Sequence, residues 1–129
     1  MKKFPLIYGA PNSGKTTKAI ELTRCQSFVY IDGSAPIEDI KKEIRHCLIR
    51  EPKYIVVEGI TPKNLNSDIF KSYITCDKIR VRNLDGSTKI INMPTFIFTT
   101  QYDIVEFDGI IERRFEPIQT IYSPPLTNL

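Results

Sequence analysis

Short apolar runs alternate along this chain with stretches in which apolar residues recur at helical spacing. Four runs rich in β-branched and aromatic residues predict buried strands at residues 4–8, 28–31, 54–57 and 95–100. Helices are predicted at residues 16–24, at 65–73, and at 37–48, where isoleucine and leucine recur every three or four positions. This alternation predicts an α/β fold whose mostly parallel sheet is covered by helices on both faces.

A different pattern precedes the fourth predicted strand. Residues 78–82 alternate basic and apolar side chains, residues 88–92 are again β-rich, and Asp85-Gly86 lies between the two runs. This pattern predicts a β-hairpin with its turn at residues 84–87, inserted directly before the strand at 95–100. For the rest of the chain we predict a short helical or turn segment at 109–114, a last strand at 115–122 and an irregular tail at 123–129.

The bulk composition indicates one globular domain over residues 1–129, with 41% apolar and 26% charged residues. No apolar run approaches the roughly 20 residues that a membrane span needs, and the short apolar stretch after Met1-Lys2-Lys3 is unlike a signal peptide. The three cysteines are widely spaced and match no zinc pattern, which favours reduced thiols. A net charge of +3 permits a polyanionic partner without requiring one.

Residues 9–16 read Gly-Ala-Pro-Asn-Ser-Gly-Lys-Thr, a complete phosphate-binding loop between the first predicted strand and the first predicted helix. Its glycines let the backbone N–H groups turn towards phosphate oxygens, and the helix dipole adds positive potential there. We predict that Lys15 reaches the β- and γ-phosphates and that the Thr16 hydroxyl ligates Mg²⁺. The predicted phosphate-binding residues are Gly9, Ala10, Pro11, Asn12, Ser13, Gly14, Lys15, Thr16 and Thr17.

Two more polar residues follow predicted strands. Glu58 comes after four apolar residues, as a Walker B acid does, and such a carboxylate holds Mg²⁺ through water or polarises the attacking water. A surface glutamate that closes a strand is the alternative. Gln101 stands just past the strand at 95–100. Because ligands bind at the carboxyl ends of parallel strands, the loop, Glu58 and Gln101 are predicted to converge on one nucleotide.

The more specific signal lies in residues 77–101, where the basic hairpin leads directly into an apolar strand that ends in Thr99-Thr100-Gln101. Together with the phosphate loop and the acidic strand end, this order resembles the superfamily 3 helicases. These are the replication ATPases of parvoviruses, papillomaviruses, circoviruses and many phages and plasmids. The resemblance covers residues 4–115, and Arg113-Arg114 resembles the arginine pair that follows the sensor strand in circovirus-like replication proteins.

The resemblance implies an AAA+-like ATPase domain that binds ATP and Mg²⁺ between the subunits of a hexameric ring and moves along single-stranded nucleic acid, expected to be DNA. It implies catalytic roles for Lys15, Glu58 and Gln101, with Thr16 and Glu58 as metal ligands. Arg113 or Arg114 would act as an arginine finger in the neighbouring subunit. Three basic residues of the hairpin would contact nucleic acid in the pore: Arg80, Arg82 and Lys89. The expected location is the cytoplasm or the host nucleus.

The sequence departs from that family in three respects. Gly59 follows Glu58 where a second acid is usual, Gln101 replaces an asparagine, and residues 84–86 lack the usual lysine at the hairpin tip. The chain also begins close to the first strand, without the helical collar or nuclease domain that often precedes it. We therefore expect either an excised ATPase domain or a minimal stand-alone protein.

Alternative interpretations stay open for several residues. Arg80 and Arg82 also fit a solvated hairpin face, and Arg113 and Arg114 also fit surface charges. Asp32 is predicted to be a turn residue.

Two other functions are consistent with the phosphate loop. One is a small-molecule kinase of the nucleotide-kinase type, which needs an acceptor site and an arginine-rich lid that the sequence does not show. The other is a nucleotide-binding regulator that hardly hydrolyses ATP, which Gly59 and Gln101 favour.

Overall fold

The structure is a computed structural model that describes residues 3–11, 13–107, 109 and 114–121. Within these residues, five strands form one parallel sheet in the order β2-β3-β6-β1-β7, and β4 pairs with β5 in a separate antiparallel hairpin. The strands are β1 (Phe4–Gly9), β2 (Phe28–Asp32), β3 (Tyr54–Glu58), β4 (Lys78–Arg82), β5 (Thr88–Asn92), β6 (Thr95–Thr100) and β7 (Phe115–Thr120). The helices are α1 (Lys15–Leu22), α2 (Ile37–Leu48), α3 (Pro62–Leu65) and α4 (Asp68–Thr75), with a 3-10 turn at Ile104–Phe107.

Alternate residues of each strand bury into two separate apolar layers. On one face, Ile7, Val56 and Ile97 pack against Ala19 of α1. On the other face, strand residues such as Leu6 and Phe98 pack against α2, α3, α4 and the inner side of the hairpin. Side chains that alternate across a strand and are buried on both faces produce the continuous apolar runs seen in the sequence.

Aromatic side chains fill the second layer. Phe96 and Phe98 stack with ring centroids 5.9 Å apart, and Phe70 of α4 meets both edge-on at 6.1 and 5.4 Å. Tyr73 also stacks on Phe96, with ring centroids 6.1 Å apart. Because buried aromatic pairs add about 0.5–1.5 kcal/mol beyond their area burial, this cluster fixes α4 against β6.

The structure confirms the predicted fold class and most of the predicted elements. The hairpin has the predicted strand bounds, and its turn is closed by a hydrogen bond from the Asn83 amide to the carbonyl of Ser87. The helix predicted at 65–73 is confirmed with shifted bounds as α4 over Asp68–Thr75, and the short α3 that precedes it was not predicted. Thr61 caps α3, α3 ends at Leu65, and the Ser67 hydroxyl caps a new start at Asp68.

The predicted strand at 115–122 ends at Thr120 in the structure, and residues 110–113 and 122–129 lie outside the described part of the chain. Among the described residues, no helix has the length and apolar character required to cross a bilayer.

Candidate nucleotide site

The phosphate-binding loop joins β1 to α1 at the carboxyl edge of the sheet. Gly14 caps α1 with a φ of 88°, a left-handed conformation that glycine adopts without strain, and no side chain caps the helix. The first N–H groups of α1 therefore have no intrahelical partner and are free to donate to an anion. Gly9 lies so close to β7 that a Cβ there would collide with the carbonyl and Oγ1 of Thr120.

Two contacts shape the loop, one to a neighbouring strand and one within its own backbone. The hydroxyls of Ser13 and Thr120 are 2.5 Å apart, and the Ser13 amide donates to the carbonyl of Ala10 at 3.2 Å. The loop is thus shaped by its own backbone and by a neighbouring strand.

Lys15 folds back over the loop. Its Nζ donates to the carbonyls of Gly9 and Ala10, both at 2.9 Å. Burial lowers the pKa of the Lys15 ammonium. The ammonium thus lies at the mouth of the loop, where a phosphate would compete with these two carbonyls for its protons.

Thr16 and Glu58 meet across the space between α1 and β3. The Thr16 hydroxyl donates to Oε1 of Glu58 at 2.7 Å, although the residues are 42 positions apart in sequence. Mg²⁺ in nucleotide sites usually takes one or two protein ligands and completes its shell with phosphates and water. A hydroxyl and a carboxylate in direct contact, beside a phosphate-binding loop, fit that donor set.

Gln101 follows β6, the strand that lies between β1 and β3. The loop, Glu58 and Gln101 therefore occupy three adjacent positions along one edge of the sheet, and all of them line a single pocket of about 940 Å³. The described residues that line it are Pro11, Gly14, Lys15, Thr16, Thr17, Tyr30, Ile31, Asp32, Ser34, Glu43, Glu58, Gly59, Thr61, Thr99, Gln101 and Tyr102.

Thr99 and Thr100, which the sequence marked only as part of the strand end before Gln101, hold this edge together. Thr99 Oγ1 accepts from the Gly59 amide at 3.1 Å, and the Thr99 carbonyl accepts from the Ile60 amide at 2.8 Å. The buried Thr100 hydroxyl donates to the Ile60 carbonyl at 2.7 Å and accepts from the Tyr102 amide at 3.1 Å. These bonds join the residues after Glu58 to the residues around Gln101. Consecutive threonines at the end of an apolar run were the available signal.

Asn64 was also missed, and it supports the other side of the pocket. This residue is only 8% exposed, and its Nδ2 donates to the carbonyls of Gly33 at 2.8 Å and Ala35 at 2.9 Å. The turn between β2 and α2, which contributes Asp32 and Ser34 to the pocket, is thereby tied to α3. An asparagine on a four-residue helix has no sequence pattern that would reveal this partnership.

Local interactions shift the pKa values of two side chains on β2, Asp32 and Tyr30. The pKa of Asp32 is lowered mainly by the Ser34 hydroxyl and then by the Ser34 amide, which donate to Oδ1 at 2.7 and 2.9 Å. This confirms the prediction that Asp32 is a turn residue. Burial, and next the negative charge of Glu58, raise the pKa of Tyr30 on the same strand.

Arg114, one of the two arginines predicted as finger candidates, is not among the described residues that line this pocket. Arg114 immediately precedes β7, and its carbonyl accepts from the Phe4 amide at 2.7 Å, at the amino end of β1. Five residue steps of about 3.3 Å put that point roughly 17 Å from the loop. Arg113 and Asn12 lie outside the described residues.

The hairpin carries its basic residues on two different sides. Arg80 and Arg82 are exposed, on the face opposite to the buried Val81. Lys89 is paired with Val81 in register, so it lies on the inner side. Its Nζ donates to the Ile49 carbonyl and to Glu51 Oε2, both at 3.1 Å.

Comparisons with known proteins support the fold of this chain, whereas its chemistry is inferred from the geometry of the site. No protein-family model matches the chain, and no curated protein matches it either. Among solved structures, JCV helicase is similar with a TM-score of 0.63 at 20% identity over 92% of this chain. Two further structures of JCV helicase give TM-scores of 0.60 at 19% and 20% identity over 95% and 93% of the chain. The chain spans 36% of the length of each of these structures.

The similarity confirms a viral helicase-like fold, with a mostly parallel sheet between helices. The circovirus-like or parvovirus-like type stays a prediction, as do the roles assigned to individual residues.

Proposed function

We propose that this chain is an ATP-binding and ATP-hydrolysing domain of the superfamily 3 helicase type. The observation that carries the proposal is the contact between Thr16 and Glu58 at 2.7 Å, beside a phosphate-binding loop with unpaired helix amides. In this proposal the amides of the loop and Lys15 hold the phosphates of ATP, and Thr16 and Glu58 hold Mg²⁺. The metal neutralises charge that develops on the phosphates during transfer.

Hydrolysis needs a group near the attacking water. Glu58 accepts hydrogen bonds and carries a negative charge, so it polarises that water, and Gln101 on the neighbouring strand orients it or contacts the γ-phosphate. The position of β6 between β1 and β3 supports this role for Gln101, because it puts the amide between the loop and the acid.

ATP hydrolysis is proposed to drive movement along single-stranded nucleic acid, which the hairpin contacts. Arg80 and Arg82 project from an exposed face that is one short connection away from β6. Lys89 would have to leave its ion pair with Glu51 to take part, so the proposal rests on the two arginines. Arg113 or Arg114 is proposed to complete the nucleotide site of a neighbouring copy in a hexameric ring, since Arg114 is far from the site of its own chain.

A regulator that binds ATP with little hydrolysis is the second candidate, and Gly59 favours it. Its φ of 70° is a conformation that side chains rarely adopt, so an acid at this position would be strained. The site therefore has one carboxylate at the end of β3. Tight ATP binding without turnover, at high protein concentration and with single strands present, would select this candidate over the motor.

The test is the magnesium dependence of ATP binding, measured with a fluorescent ATP analogue on the whole chain. We expect Mg²⁺ to tighten binding to the unmodified protein. Thr16→Val and Glu58→Gln should each retain binding without Mg²⁺ and lose most of that tightening, because each removes one metal ligand. Glu38→Gln, an exposed acid on α2 outside the pocket, is the matched control and should behave like the unmodified chain.

Two outcomes decide the proposal. If Mg²⁺ tightens ATP binding equally in both variants and in the control, the assignment of the metal site is wrong. ATPase activity gives the second readout. If a neighbouring copy supplies an arginine, the ATPase rate per protomer should rise with protein concentration. A high ATPase rate per protomer that stays constant on dilution would refute the proposed ring.

A further inference from the structure

A second cleft lies between α2 and β4. Its volume is about 720 Å³. The helix wall is formed by Lys42, Arg45, His46, Leu48 and Ile49, and the hairpin wall by Ile79, Arg80, Val81 and Arg82, with Tyr73 between them. The chain thus brings two basic segments, separated by more than thirty residues in sequence, to the two sides of one groove.

Positive charge dominates this cleft. Each wall contributes two cations, Lys42 and Arg45 from α2 and Arg80 and Arg82 from β4, and none of the described lining residues is acidic. In the described part of the chain the one ion pair joins Lys89 to Glu51, so these four cations have no carboxylate within 4 Å. Four cations gathered at one groove without counter-charges create a field that attracts an anion.

Tyr73 lies between the two walls of the cleft and belongs to the core, since it is 9% exposed and stacked on Phe96. Burial raises the pKa of Tyr73, and the nearby positive charge of Arg45 partly offsets this effect. Arg45 itself is exposed on α2, so its guanidinium is accessible at the edge of the cleft.

We propose that the cleft between α2 and β4 binds the phosphate backbone of a nucleic-acid single strand, with Lys42 and Arg45 as contacts beyond the hairpin. The inference rests on the proposed function, and it adds the helix as a second wall. Arg80 and Arg82 repeat every second residue along a strand, together with the exposed Lys78. Cations that repeat along an extended element suit a polymer with evenly repeated anions better than an isolated anion.

The experiment measures binding of a fluorescein-labelled 20-nucleotide thymidine strand by anisotropy, with the whole chain and from 0.05 to about 0.5 M NaCl. Each phosphate contact on a single strand contributes about 0.7 to the slope of log K against log salt. Lys42→Gln with Arg45→Gln should therefore lower the slope by about 1.4. If the electrostatic contribution vanishes near 1 M salt, binding at 0.1 M should weaken about 25-fold.

A control and a second variant keep the result interpretable. Lys63→Gln with Lys71→Gln removes the same charge from exposed sites on α3 and α4, outside the cleft, and should leave the slope unchanged. Because Arg45 lies near Tyr73, which belongs to the core, Lys42→Gln is also measured alone. It should lower the slope by about 0.7 and weaken binding about 5-fold at 0.1 M salt.

The outcomes separate this inference from the function on which it rests. If Arg80→Gln with Arg82→Gln weakens binding while the α2 variants match the control, the hairpin contact stands and the cleft proposal is refuted. Magnesium-dependent ATP binding, measured on the same samples, reports on the nucleotide site independently. Poly-glutamate is added as a competitor at the same concentration of negative charge as the labelled strand. If it displaces the strand, the cleft is assigned to an acidic peptide and the nucleic-acid assignment is overturned.

Discussion

The hydroxyl of Thr100 offers a stringent test of how the edge of the sheet is held together. It donates to the Ile60 carbonyl at 2.7 Å and accepts from the Tyr102 amide at 3.1 Å. Thr100→Val keeps the shape and removes both bonds. Ile60 and Thr100 are both 0% exposed, so the Ile60 carbonyl would stay buried without this partner.

The expected loss follows from that geometry. An unpaired buried acceptor costs about 1–3 kcal/mol, whereas the partly buried amide of Tyr102 can recover water. We therefore expect Thr100→Val to lower the free energy of unfolding by about 2 kcal/mol. Thr100→Ser keeps the hydroxyl and loses one methyl group, so it should lose only about 1 kcal/mol.

Urea unfolding followed by circular dichroism is the assay, because the chain has no tryptophan. Thr88→Val on β5 is the matched control, since Thr88 is exposed, and its effect should stay within about 0.5 kcal/mol. The reasoning is refuted if Thr100→Val is as stable as the unmodified chain. It is also refuted if Thr100→Ser is the more damaging of the two changes.

Two further predictions concern contacts elsewhere. Asn64→Ala leaves the carbonyls of Gly33 and Ala35 without their amide donor, so we expect a loss of about 1–3 kcal/mol in the urea assay, and a loss below 0.5 kcal/mol would show that water replaces the side chain. The side chains of Lys89 and Glu51 are 31% and 55% exposed, so Glu51→Gln should change the free energy of unfolding by less than about 1 kcal/mol. Thermal melts should show a smaller effect in high salt than in low salt, because salt screens the pair.

The sequence allowed the fold class to be predicted because apolar patterns report local burial. Strands buried on both faces read as continuous runs, and the heptad-like spacing in residues 37–48 matches the face of α2 that buries Ile40, Ile44 and Leu48. The short α3 was not predicted because four residues are too few to show helical spacing. The polar residues Asn66, Ser67 and Asp68 separate it from Ile69, and the Ser67 hydroxyl caps the start of α4.

The residues around the candidate site were predictable only in part. Strand ends placed the loop, Glu58 and Gln101 together, because the carboxyl ends of parallel strands share one edge. The order of the strands in the sheet could not be predicted from the sequence. β3 and β6 pair across more than thirty residues, and this pairing depends on the whole sheet. For the same reason the partner of Lys89 and the second wall beside Arg80 came only from the three-dimensional arrangement.

The way in which β6 is enclosed restricts how the hairpin can move. This strand is hydrogen-bonded to β1 on one side and to β3 on the other, and all but its first residue are buried. The inner side of the hairpin is in turn anchored by Val81, Ile91 and the Lys89 contact with α2. A hairpin that moves freely about a flexible connection is incompatible with such anchoring. Arg80 and Arg82 therefore keep a defined position relative to the carboxyl end of β6, where the candidate nucleotide site lies.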